Sequence, residues 1–129
     1  MKYLLLAYGN EDKFNQLSKS DLAALGEKCQ AFDAELKATG KLVGSASLDW
    51  GSKAMRLRSG KLTVTDGPFV DTKEVVGGFV LLEADTFEEA VRLASLHPAA
   101  RIGEELGWGI ELRPLGHCEA IEASLAASV

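Results

Sequence analysis

Two stretches of this chain, residues 2–8 and 79–84, are apolar at both parities, and this limits its fold more than any other feature. In the first, Tyr3, Leu5 and Ala7 alternate with Leu4, Leu6 and Tyr8. Successive side chains of a strand point to opposite faces, so a strand apolar on both sides must be covered on both sides. The rest of the chain has to be arranged over these two strands.

Two amphipathic helices are available as cover. Ser18-x-x-Asp21 has the form of a helix N-cap, and Leu22, Leu25, Cys29, Phe32 and Leu36 follow at spacings of three, four, three and four. Gly40 closes that stripe as a C-terminal cap, and the stripe should lie on a sheet. Cys29 within it reads as buried filler. Thr86-x-x-Glu89 is a capping box whose helix carries Phe87, Ala90, Val91 and Ala94 and stops near His97-Pro98.

The other strands are shorter. Residues 41–48 form one, followed by a loop through Asp49-Trp50-Gly51. Residues 55–58 and 61–65 flank Ser59-Gly60 as a hairpin. With a two-residue loop, Leu57 faces Leu62 and Met55 faces Val64, while Arg56 and Arg58 share the other face with Lys61 and Thr63. That basic face reads as a solvated edge. In residues 108–113 the parities separate, with Trp108, Ile110 and Leu112 against Glu111 and Arg113. Residues 10–17 read as a polar loop, and residues 103–109 as a loop leading into the last strand.

The order β-α-β-β-β-α-β predicts an α+β fold, a ferredoxin-like sandwich with an extra β-hairpin strand. It occupies residues 1–115 as one domain, and residues 116–129 form an Ala-rich tail able to make a short helix. Two helices cover only one face of the sheet. A second copy packed sheet to sheet would cover the other, so a homodimer is expected.

Composition narrows the partners. A net charge of −5 without a Lys/Arg cluster argues against nucleic acid. The apolar N-terminal run is too short to span a membrane and lacks a small-residue cleavage site, so a cytoplasmic protein is expected. Two cysteines make no disulfide framework, and His117-Cys118 lacks a zinc-binding spacing, so no metal site is expected. No phosphate loop or dinucleotide fingerprint is present, and no cofactor is expected.

The densest backbone constraint lies in Asp66-Gly67-Pro68-Phe69, with Thr72-Lys73-Glu74 and Gly77-Gly78-Phe79 close behind. Gly67 permits positive φ, Pro68 fixes its own φ, and Asp66 suits an Asx-type turn. Two readings stand. The segment is a rigid connection between strands, or it holds Asp66, Lys73 and Glu74 at the mouth of a pocket.

These motifs, with His97-Pro98-Ala99-Ala100 and the closing Glu111-Leu112-Arg113-Pro114, resemble the DGPF branch of the YCII-related family over residues 1 to about 114. The resemblance implies a small bacterial protein of ferredoxin-like fold that dimerises into an α/β barrel-like assembly. Most members of that family have no established activity, although one branch includes a dehydrochlorinase acting on a chlorinated hydroquinone. Relatives have been proposed to use a His from the first helix and an Asp in an Asp-Pro step after the second. This chain has no His in its first helix, and His97 stands before Pro98, so that dyad does not carry over as it stands.

Acid–base chemistry therefore centres on His97, read as lying at a helix C-terminus and poised near neutral pH. Asp66 is a candidate to orient His97 or to act as base itself. Arg113 with Glu111, Lys73 with Glu74, and Tyr8 are candidates to hold an anionic ligand. Two functions remain: a cofactor-free enzyme for proton transfer, elimination or isomerisation on a small aromatic or enolic acid, and a non-catalytic dimeric module that binds a ligand or a protein.

Overall fold

The computed structural model describes residues 1–70 and 72–118. The helix expected in the Ala-rich tail lies outside the described residues. Four strands form one antiparallel sheet: β1 (Lys2–Asn10), β2 (Leu42–Ser47), β5 (Glu74–Glu83) and β6 (Gly109–Pro114), in the order β2-β5-β1-β6. The two strands apolar at both parities are the central neighbours, and each is paired on both edges. Two parallel, non-adjacent pairs joined by helical crossovers give the ferredoxin-like arrangement expected of the sequence.

The hairpin forms with the predicted register. β3 (Lys53–Arg58) and β4 (Lys61–Asp66) place Leu57 against Leu62, Met55 against Val64 and Arg56 against Thr63. Ser59 and Gly60 both take positive φ, as a two-residue turn of this hand requires. The hairpin does not extend the main sheet as an extra strand. It stands as a separate two-stranded sheet, with Met55, Leu57, Leu62 and Val64 all exposed.

The core lies on one face of the main sheet. Leu5, Val80 and Leu82 meet Leu36 and Ala94, flanked by Leu42, Leu93, Leu96, Ile110 and Leu112. Tyr3, Ala84 and Ala90 continue it, and the Tyr3 ring packs against Phe87. Opposed residues of antiparallel strands share a face. Leu4 and Leu6 therefore sit with Leu81 and Phe79 on one side and Arg113 and Glu111 on the other, all on the opposite face, which no helix among the described residues covers.

Residues 10–17 fold instead of looping. Asn10 is buried, and its side chain accepts the Lys13 N–H to cap α1 (Glu11–Asn15). The long helix α2 (Lys19–Ala38) begins at Ser18, which accepts the Asp21 N–H, and Gly40 follows its end in the left-handed conformation. Its stripe does not lie flat on the sheet. Leu36 alone is buried, Leu25, Cys29 and Phe32 are half-buried, and Leu22 is exposed. The N-terminal part of α2 stands away from the strands.

The second helix is shorter than expected. α3 (Phe87–Ala94) is capped by Thr86 and buries Ala90 and Ala94, while Phe87 and Val91 remain exposed. After Ser95 the chain turns and starts again as α4 (Pro98–Arg101), with Pro98 in its first turn. A single 3-10 turn, Glu104–Leu106, precedes β6.

Candidate functional site

Where α2 stands away from the sheet, it leaves a cavity of about 330 Å³. Cys29, Asp33, Leu36 and Lys37 of α2 form one wall, and Ser45–Ser47 of β2 with Gly77 and Gly78 of β5 form another. His97, Pro98 and Ala99 close one side. Trp50, Phe14 and Trp108 supply an aromatic lining, and apolar lining outweighs polar, as in most small-molecule sites.

Glycines create the aromatic part. A Cβ at Gly9 would press on the Trp108 ring, so that indole closes over bare backbone at this point of β1. Gly103 has φ +81° and also lies under Trp108, where any side chain would overlap the ring. Phe14, brought in by α1, meets Trp50 with ring centroids 6.1 Å apart.

His97 is placed differently from the sequence expectation. It is the N-cap of α4, not the C-terminus of α3, and its Nδ1 accepts the Ala99 N–H at 3.0 Å. A nitrogen that accepts a backbone N–H carries no proton, so the neutral ring holds its hydrogen on Nε2. Burial pushes the imidazole below its ordinary pKa, and the nearby Asp33 carboxylate pulls it partly back. The positive end of a helix adds nothing in favour of a cation here. His97 therefore presents a neutral N–H donor from a helix N-cap, not from the helix C-terminus that the sequence suggested.

Asp33 was missed. It stands four residues after Cys29 and three before Leu36, on the edge of the apolar stripe, and that i, i+4 offset was the available signal. Cys29 lines the same wall, and burial followed by the Asp33 charge raises its thiol pKa, which fits filler rather than a nucleophile.

Of the other expected residues, Tyr8 alone borders the cavity. Asp66 is exposed, ion-paired with Lys53 across the base of the hairpin, and does not line the cavity with His97. Lys73 and Glu74 are exposed as well, and the Glu74 side chain packs toward Gly107. Glu111 and Arg113 do share a strand face, but it is the one opposite the helix-packed core. Tyr8 borders the cavity through its strand, yet its hydroxyl donates to Glu111 Oε1 at 3.2 Å. Burial, then the Glu111 hydrogen bond, raises the Tyr8 pKa. Gly67 does not adopt positive φ. It is glycine because a Cβ there would overlap Ser52 Oγ, and the Gly67-Pro68 bond is cis.

The model of the YCII-related domain matches residues 1–106. The chain belongs to the YCII-related family. An uncharacterised protein of Rhizobium meliloti (strain 1021) is 32% identical over 96 residues, covering 73% of this chain and 77% of that one. A solved structure similar to this YCII-related protein is 5-chloro-2-hydroxyhydroquinone dehydrochlorinase from Burkholderia phenoliruptrix AC1100, in complex with 2,5-dihydroxybenzoquinone. It covers 92% of this chain and 96% of its own at 16% identity and a TM-score of 0.44. Those figures license no transfer of its chemistry. Among the described residues, no helix is long and apolar enough to cross a membrane. Asp33 on the long helix and His97 before Pro98 both line the cavity.

Proposed function

We propose that this YCII-related protein is a cofactor-free cytoplasmic enzyme that moves a proton on a small aromatic or enolic acid bound between α2 and the sheet. The observation that carries this reading is the His97 tautomer fixed by Ala99 N–H, facing a cavity that also holds a carboxylate. Asp33 takes a proton from the carbon beside a carbonyl, and the electron pair moves onto the carbonyl oxygen. His97 donates Nε2–H to that oxygen as its charge develops, which is the work of a neutral imidazole rather than an imidazolium. The proton then returns at another carbon in an isomerisation, or a leaving group departs with its electron pair in an elimination. Lys37, in the cavity wall, is available to hold an acid group. Asp66, Lys73, Glu74, Tyr8, Glu111 and Arg113 have no part in this step.

The same reading includes a homodimer of the barrel-like kind and a place in the DGPF branch. Its physical support is the uncovered sheet face together with four exposed apolar residues on the hairpin. Those features alone favour the second reading, a non-catalytic dimeric binding module.

A thermal-shift screen of small aromatic, lactone and keto acids separates the two. His97→Asn keeps an N-cap acceptor, and Asp33→Asn keeps the shape of the carboxylate. The wild type should be stabilised by one class of acid, and His97→Asn should lose that stabilisation. Asp33→Asn should bind but fail to exchange the acid's C–H for deuterium. Stabilisation without exchange in the wild type leaves the binding module. No stabilisation by any acid sinks the enzyme.

A further inference from the structure

The Asp66-Gly67 turn, the most constrained stretch of the sequence, takes no part in the proposed proton transfer, and its contacts lead toward the cavity by another route. Gly67 N–H donates to Ser52 O at 2.8 Å, and the absence of a Cβ lets Ser52 Oγ lie against Gly67. Next to this, Lys53 and Asp66 pair across the first rung of the hairpin. Ser52 is two residues from Trp50, joined through Gly51 at φ +90°. Trp50 is half-buried in the cavity wall, and its ring meets Phe14.

We infer that Trp50 sets the ligand specificity of the cavity, selecting a planar ring, and that the Asp66-Gly67 turn is the positioning element that holds it there. This rests on the cavity being a ligand site, as proposed above. An indole offers a flat, polarisable face against which an aromatic ring gains more than an equally large saturated ring. Trp108 cannot supply that selection by itself, because its ring is packed against Gly9 and Gly103. Trp50 is carried by a loop, so its position depends on what anchors the loop. The anchor is backbone to backbone at Gly67 and Ser52. A methyl group at Gly67 would displace Ser52 and with it the indole two residues away.

The test uses the whole chain labelled with 5-fluorotryptophan, which gives two fluorine resonances. Trp50→Phe assigns them by removing one. Gly67→Ala should move or broaden the Trp50 resonance and leave the Trp108 resonance in place, the latter showing that the fold is intact. Asp66→Lys should perturb the same resonance, and the charge-swapped pair Lys53→Asp with Asp66→Lys should restore it. A Trp50 resonance unchanged in Gly67→Ala overturns the positioning role.

The ligand arm compares 4-hydroxybenzoate with cyclohexanecarboxylate by titration. The wild type should prefer the aromatic acid about tenfold or more, and Trp50→Ala should reduce that preference to within about twofold. An equal preference in wild type and Trp50→Ala overturns the specificity role while leaving the cavity a ligand site. If neither these two acids nor any acid of the thermal-shift screen binds, the proposed function fails and the specificity role with it. The fluorine result still decides the anchor, because it needs no ligand.

Discussion

The main sheet and the hairpin solve the same pairing problem and end in opposite surroundings. In both, apolar residues face apolar residues across an antiparallel ladder: Leu5 against Val80 in one, Leu57 against Leu62 in the other. Leu5 is fully buried beneath the helices, whereas Leu57 is 72% exposed. Strand parity states which side chains stand together. It does not state what they are packed against, and that second fact decides how much they stabilise the fold.

The strongest test of that contrast is a matched pair of truncations. Leu5→Ala opens a cavity in a closed core and should cost about 2–5 kcal/mol in urea unfolding. Leu57→Ala removes the same atoms from a surface and should cost no more than about 0.5 kcal/mol in the isolated chain. A Leu57→Ala loss comparable to that of Leu5→Ala would mean that something covers the hairpin, and the contrast would then belong to the monomer alone.

The proposed dimer sharpens the same point. If a second copy covers this side of the molecule, Leu57→Asp places a charge in the interface. It should weaken association at least tenfold, or about 1.4 kcal/mol, in sedimentation equilibrium. Unfolding midpoints of the wild type should also rise with protein concentration, and those of the variant should not. Equal association by both proteins would remove the hairpin from any interface.

Much of this was legible in the residues. Alternation in β6 separated Trp108, Ile110 and Leu112 from Glu111 and Arg113, and the Ser18 and Thr86 caps marked two helix starts, because each signal is local. The first helix was legible in principle: Asn10 before Glu11 and Asp12 is an N-cap with acidic residues in the first turn, but its five residues carry no apolar stripe to announce it. The candidate site was harder. His97 before Pro98 was read as an ending, although a proline equally opens a helix, and here it opens α4. Asp33 stood four residues after Cys29 on the edge of the stripe, but that offset does not contain how far α2 stands from the sheet. Asp66 attracted attention through backbone constraint, and that constraint is spent on Ser52 and Lys53.

The smallest expected effect lies on the cavity side, where the core buries a group that titrates. Burial lowers the His97 pKa in the folded protein, while in the unfolded chain it returns to about 6.5. Between the lowered folded value and about 6.5 the unfolded state holds more protons, so stability falls as pH falls through that window. Above about 6.5 both states are neutral and His97 contributes no slope. His97→Asn retains a cap on the Ala99 N–H and cannot titrate, so its stability should decline less than that of the wild type between about pH 7.5 and pH 5. Carboxylates other than Asp33 contribute to both proteins alike, and the difference between the two curves isolates the histidine with its Asp33 partner. An identical decline in both would mean that burial gives the imidazole no net penalty against its charged form once the Asp33 carboxylate is counted, and His97 would lose its standing as the neutral donor of the site.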